Sequence, residues 1–246
     1  NTCYTCSMDT ALVSIYQAFR WLPHDERVDF ETNFLPKSIK LVFKSMSAGT
    51  VNNPEIVEII RTFYHTKRRV EKDTMHSLSL ILSHTLLTRS PLYSVTVKRE
   101  LKGEAENCFF PLYLESSPST FMTVQNLFNA TLPLPFMAGA KSWPKLLTLD
   151  VCSYILQSVM CPPNENIAPN LTVESDGQML SYKVVCVIYG NQSHFNCRFK
   201  CADDNVHYSY DGLVNDGVPV PQQGETHYPY CLASGYRVGI IMLVKI

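Results

Sequence analysis

Charge is scarce in this sequence, and neither sign prevails. Acidic and basic side chains make up 17% of the 246 residues, against about a quarter in ordinary globular chains, and the formal net charge is -1. A chain with no cationic excess offers no net attraction to nucleic acid or to an anionic membrane, so neither is expected as a partner. Long apolar runs are also missing. The stretch from Gly239 to Val244 is far too short to cross a bilayer, and no charged-then-apolar leader opens the chain. No initiating methionine is present, which points to an excised domain. Linkers, internal repeats and low-complexity segments are absent too, so a single composite domain spanning 1–246 is expected.

What is present is an apolar chain with unpatterned cysteine. Hydrophobic residues reach 46%, enough for a sizeable core, and nine cysteines stand at irregular spacing. An odd number without a framework fits a reducing compartment, and hence a cytoplasmic or nuclear location. Three N-x-S/T triplets, at Asn129, Asn170 and Asn191, would argue the other way if glycosylated, but Asn and Ser/Thr at ordinary frequency produce such triplets by chance.

The stretch that organises the reading is the first one. From Ala11 onward Ala11, Leu12, Ile15, Tyr16 and Phe19 recur at helical spacing, which predicts an amphipathic helix with Cys6 at or just before its start. A thiol at that position feels the positive end of the helix dipole and unpaired backbone N–H groups, which stabilise its thiolate. Cys6 is therefore the candidate nucleophile. Cys3 lies three residues further out. Taken alone, Cys6 also has the look of a small buried hydrophobe, and Cys3-x-x-Cys6 has the spacing of half a zinc site or of a redox pair. A zinc site needs a second short-spaced pair, and the nearest, Cys197 and Cys201, has three residues between its members. No metal and no cofactor are expected.

Further along, Arg20 to Asn53 carries Pro23, Pro36 and Gly49 between short apolar clusters and reads as loops with one short helix. Helices are predicted at Pro54–Tyr64 and, capped by Asp73, over 74–87, with a short one at Thr123–Phe128. Strands are predicted at Ser94–Lys98 and Phe109–Leu114 around a turn at Gly103, then at Lys145–Val151, Tyr182–Tyr189, His194–Phe199, Val206–Tyr210 and Tyr236–Ile246. The sequence from Cys161 to Asn170 reads as a loop. Helices first and antiparallel strands later make an α+β protein, a helical lobe over 1–92 and a mainly β lobe over 93–246, with a cleft between them.

His194 opens one strand, and Asp211 follows the next, seventeen residues on. If the strands pair as a hairpin, both residues fall at one end of the sheet. A thiol nucleophile needs an imidazole in reach, and the imidazole needs an acceptor to fix its tautomer; Cys6, His194 and Asp211 supply that set. Singly, His194 is also a plausible loop-edge histidine and Asp211 a turn residue before Gly212. His207, the rival base, sits within its strand, where an imidazole usually satisfies a local hydrogen bond.

These segments together resemble the ubiquitin-specific protease family of cysteine peptidases, and within it the cylindromatosis type. Its cysteine box places Asn or Asp, Leu, Leu and Phe at three, six, nine and ten residues after the nucleophile; counted from Cys6, these positions hold Asp9, Leu12, Ile15 and Tyr16. Its histidine box is matched by Ser193-His194-Phe195 and Tyr210-Asp211, and weaker matches run from Glu71 to Leu86, over Thr123–Phe128 and over Leu146–Leu149. The resemblance implies a papain-like fold with the active site in the cleft. It also implies a deubiquitinase that hydrolyses the peptide or isopeptide bond after the C-terminal glycine of ubiquitin or a ubiquitin-like modifier. Asn1, five residues before Cys6, takes the place of the oxyanion-stabilising side chain. Paired CxxC fingers are absent, and Gly212 replaces a second acid common in the family. Three other readings stay open: a catalytically weak or inactive module that binds ubiquitin-like proteins, a SUMO-specific isopeptidase, and a papain-like amidase or acyltransferase.

Overall fold

A computed structural model of the chain describes residues 6–33, 35–49, 54–56, 58–59, 62, 95–101, 104–110, 125, 140–143, 145–150, 170–175, 177–191, 194–222 and 236–246. Helix α1 runs Cys6–Arg20, with Asp9 in its first turn and Arg20 in its last, each sign at the end of the dipole that favours it. Its apolar face is wholly buried: Met8, Ala11, Leu12, Ile15, Tyr16 and Phe19 all point into the core.

Two helices follow, not one. Helix α2 spans His24–Asn33 and α3 spans Lys37–Ser47, each beginning just after a proline, Pro23 and Pro36. Those prolines mark helix starts, where a missing N–H costs nothing, rather than loops. Helix α2 gave little signal because Phe30 is its only buried residue. In α3, Ile39, Val42 and Phe43 make the buried face. Tyr16, Phe19, Phe30 and Phe43 join the three helices through ring contacts of 5.2 to 5.7 Å between centroids. Of the next expected helix, the described residues Pro54, Glu55, Ile56, Glu58, Ile59 and Thr62 are helical. The helix expected over 74–87 lies outside the described residues, as does all of that at Thr123–Phe128 except Gln125, which is helical.

A small sheet holds β1 (Val95–Leu101), β2 (Glu104–Phe110) and β3 (Ala140–Ser142) in the order β2-β1-β3. Strand β2 begins at Glu104, five residues before the expected Phe109, because its first half is polar and shows no apolar alternation.

The large sheet contains β4 (Leu146–Asp150), β5 (Asn170–Ser175), β6 (Gln178–Gly190), β7 (Phe195–Lys200), β8 (His207–Tyr210), β9 (Val220–Pro221) and β10 (Arg237–Lys245). Its order is β4-β10-β6-β7-β8-β9, and every pairing is antiparallel. Strand β6 is long enough to pair β5 through its first half and β7 through its second, while β10 runs along its other side. The final strand is thus central, which explains its unbroken apolar run: Ile240, Ile241, Met242, Leu243 and Val244 are all buried. Helix α1 lies across β6, β7 and β10, and its buried side chains share one core with Val185, Ile188, Phe195, Phe199, Ile240 and Met242. The architecture is a mixed one, helices packed on an antiparallel sheet. Among the described residues, no helix is long and apolar enough to cross a membrane.

Candidate functional site

The hairpin β7–β8 builds one side of the site. Its register pairs Cys197 with Tyr210, so Asp211 follows level with Asn196 and stands diagonally from His194. The imidazole Nε2 of His194 lies 2.7 Å from Asp211 Oδ1. The backbone holds both partners still. The Asn191 side chain accepts from the His194 N–H at 2.8 Å, and the Asn191 N–H donates to the His194 carbonyl at 3.0 Å, which closes the loop before β7. The Leu213 N–H donates to Asp211 Oδ1 at 2.9 Å, an Asx turn that fixes the carboxylate.

His194 is only 8% exposed, and among the described residues its buried Nδ1 has no hydrogen-bond partner. Because Nε2 faces Asp211, Nδ1 faces the other way. A buried ring nitrogen left unsatisfied is unfavourable by about 1–3 kcal/mol, and such an atom calls for a functional explanation.

Helix α1 closes the other side. The Thr10 hydroxyl donates to the Phe195 carbonyl at 3.3 Å, a buried bond that ties the second turn of α1 to the residue after His194. Cys6 opens that helix and stands one turn before Thr10 on the same face. A second contact agrees. A Cβ on Gly212 would meet Tyr210 Oη at 3.4 Å and Asp9 Oδ2 at 4.0 Å, so the first turn of α1 reaches the residue after Asp211. Asp9, known from the sequence only as part of the cysteine box, was not foreseen at this spot. Its position one helical turn from Cys6 was the available signal.

The structure therefore brings together His194, Asp211 and the helix start formed by Cys6. Asn1 and Cys3 lie outside the described residues, and Cys6 is described through its backbone. His207 is at the far end of β8, about 10 Å along the strand from Tyr210. Burial, together with the charges of Lys200 and Lys183, pulls its imidazole below the usual range. Cys186 and Cys197 are free and buried in the core, where burial pushes the Cys186 thiol up and keeps it unreactive.

Among the described residues, no three His, Cys, Asp or Glu side chains gather in a metal-binding group. Prolonged treatment with a strong chelator is expected to leave the melting temperature unchanged; a chelator-induced drop, with stoichiometric zinc by elemental analysis, would refute this.

No protein-family model and no curated protein matches the chain. Solved structures do. The apo Pan2 pseudoubiquitin hydrolase-RNA exonuclease module of Saccharomyces cerevisiae matches with a TM-score of 0.53 at 10% identity, covering 94% of this chain and 52% of that one. The same module in complex with AAGGAA RNA also matches, with a TM-score of 0.53, 10% identity and coverage of 94% and 51%. The chain spans about half the length of these neighbours.

The RNA-bound neighbour overturns the exclusion of nucleic acid drawn from the net charge. A net charge near zero averages over the whole surface and sets no bound on any one patch; here Lys183, Lys200 and His207 crowd together. With helices packed on an antiparallel sheet, the chain has a fold similar to that of a ubiquitin-hydrolase-like, papain-like module.

Proposed function

We propose that the chain is a thiol peptidase of the ubiquitin-specific protease type, formed by one domain over 1–246. It hydrolyses the peptide or isopeptide bond after the C-terminal glycine of ubiquitin or a ubiquitin-like modifier, in the cytoplasm or nucleus. The observation that carries the reading is the buried His194, bonded through Nε2 to Asp211 and, among the described residues, unpartnered at Nδ1, beside a helix that begins with a cysteine.

In this reading Asp211 keeps the Nε2 proton in place, so Nδ1 presents its lone pair and takes the proton of Cys6. The thiolate attacks the glycyl carbonyl, and backbone N–H groups at the start of α1, with Asn1, stabilise the oxyanion. Collapse of the tetrahedral intermediate expels the amine, which takes the proton from His194. Water, deprotonated by the same imidazole, then hydrolyses the thioester and frees the thiol. The cylindromatosis type is the branch the chain most resembles, through the segments Glu71–Leu86, Thr123–Phe128 and Leu146–Leu149.

A second reading is a module that binds without cleaving, and it is supported by the likeness of the fold to a pseudoubiquitin hydrolase. In this reading the chain is part of a module that binds RNA, as the neighbour in complex with AAGGAA RNA is. Electrophilic probes ending in the ubiquitin and the SUMO tails, run side by side on the wild type, separate the readings. A covalent adduct with either one supports the peptidase and identifies its modifier. Binding of unmodified ubiquitin or SUMO without an adduct from either probe supports the non-catalytic module.

A further inference from the structure

A second cluster of polar groups lies away from His194, where the end of α1 meets β6 and the end of β7. Trp21, just past α1, donates through Nε1 to the Lys200 carbonyl at 2.9 Å. The Lys183 ammonium lies 4.4 Å from the centre of the same indole ring. Lys200 pairs across the β7–β8 hairpin with His207. Burial, and then the charge of Lys200 at hydrogen-bonding range, pulls Lys183 below its usual basicity; His207 is lowered by burial and by both lysines.

These groups are not loose surface cations. Trp21, Lys183, Lys200 and His207 are all half-buried, and the indole holds Lys183 by its ring and the Lys200 backbone by its N–H. Among the described residues, neither lysine forms an ion pair with a carboxylate, whereas Arg20 meets Asp203 at 2.6 Å and Lys145 meets Glu26 at 3.3 Å. Two protonated amines have only donors to offer each other, so their proximity is repulsive unless an acceptor lies between them.

We propose that Lys183, Lys200 and His207 form a binding site for a compact dianion of the phosphate-monoester class, either free or terminal on a nucleotide. A phosphate monoester carries between one and a half and two negative charges at neutral pH and three strong acceptor oxygens. The two ammonium groups match that charge and supply donors for those oxygens, with the His207 imidazole beside them. A carboxylate or a backbone phosphodiester brings a single charge and leaves part of the repulsion in place. The site uses none of Cys6, His194 or Asp211 and stands whether or not the chain is a peptidase.

Calorimetric titration with inorganic phosphate and, separately, with a nucleoside 5′-monophosphate tests this on the wild type and on Lys200→Gln and Lys183→Gln. Both ligands are expected to bind the wild type, and each substitution to weaken binding about tenfold, as loss of one charged hydrogen bond does. Equal affinities make free phosphate the ligand; much tighter binding of the monophosphate makes it a nucleotide. Because Lys183→Gln also gives up the indole contact, the melting temperature is read alongside. Phosphate should raise it in the wild type and do so less in Lys200→Gln. Unchanged affinity in both variants overturns the proposal. So does tighter binding of a 5′-hydroxyl RNA oligonucleotide than of either monoester, which would make the cluster part of a track for a strand.

Discussion

Cys6→Ala is expected to abolish covalent capture of an electrophilic probe with a ubiquitin-like tail, while Cys3→Ala leaves most of the labelling intact. The difference follows from position: Cys6 is the first residue of α1, where the helix dipole and open N–H groups favour a thiolate, and Cys3 precedes the helix by three residues. His194→Ala should slow labelling by about 10²–10⁴, the usual worth of a positioned base. Asp211→Asn is the more telling change. The carboxylate can only accept, so it keeps the proton on Nε2; an amide can turn its NH₂ toward Nε2, which moves the ring proton to Nδ1 and leaves no lone pair for the thiol. The asparagine variant should therefore fold normally, retain ubiquitin or SUMO binding and label far more slowly than the wild type. Binding survives because it draws on a larger surface than the triad. Labelling that persists in Cys6→Ala and disappears in Cys3→Ala would move the nucleophile to the other cysteine and undo the site.

The parts of this arrangement that could be read from sequence are those whose signal is local. A helix beginning at Cys6 follows from the spacing of Leu12, Ile15 and Phe19, and those residues are buried as the spacing requires. The strands at β6, β7 and β8 show their apolar or aromatic character directly, and the turn at Asp203-Asp204-Asn205 lies where turn residues cluster. The proximity of His194 to Asp211 needed only the assumption of a hairpin, because antiparallel pairing fixes which residues share an end. What escaped notice depends on distant partners. Helix α2 has almost no amphipathic pattern, and Pro23 hid its start. Strand β5 carries the polar residues Thr172 and Glu174 on an exposed face and gains its place by pairing with β6. That β10 sits between β4 and β6 is a fact of topology, and no periodicity encodes it. Asp9 reaches Gly212 only because the sheet brings the two together. Net charge, likewise, is a sum over the chain; the crowding of Lys183, Lys200 and His207 is set by strand register and by the seat of Trp21.

A large loss of stability from a single substitution is expected at Phe30. Helix α2 is polar on nearly every side, and Phe30, fully buried, is the only residue it contributes to the core. The ring packs 5.6 Å from that of Phe19, which in turn lies 5.7 Å from Phe43, so this side chain holds α2 against α1, and Phe19 of α1 meets α3. Phe30→Ala should cost about 3–5 kcal/mol, the lost transfer energy plus the cavity left behind. Domains of this kind have a net stability of about 5–15 kcal/mol, so the change removes a large part of it and should lower the melting temperature by about 10 °C. Val28→Ala on the same helix is the control: Val28 is 48% exposed, and its truncation should stay within about 0.5 kcal/mol. The aromatic cluster meets α1 near its C-terminal end, whereas Cys6 opens the helix about three and a half turns from Phe19. At low temperature, Phe30→Ala should therefore still label with the probe at close to the wild-type rate. Equal melting temperatures for Phe30→Ala and Val28→Ala would show that α2 contributes nothing to the cooperative core. A loss of labelling in a variant that remains folded would show that this end of the helical layer positions the thiol.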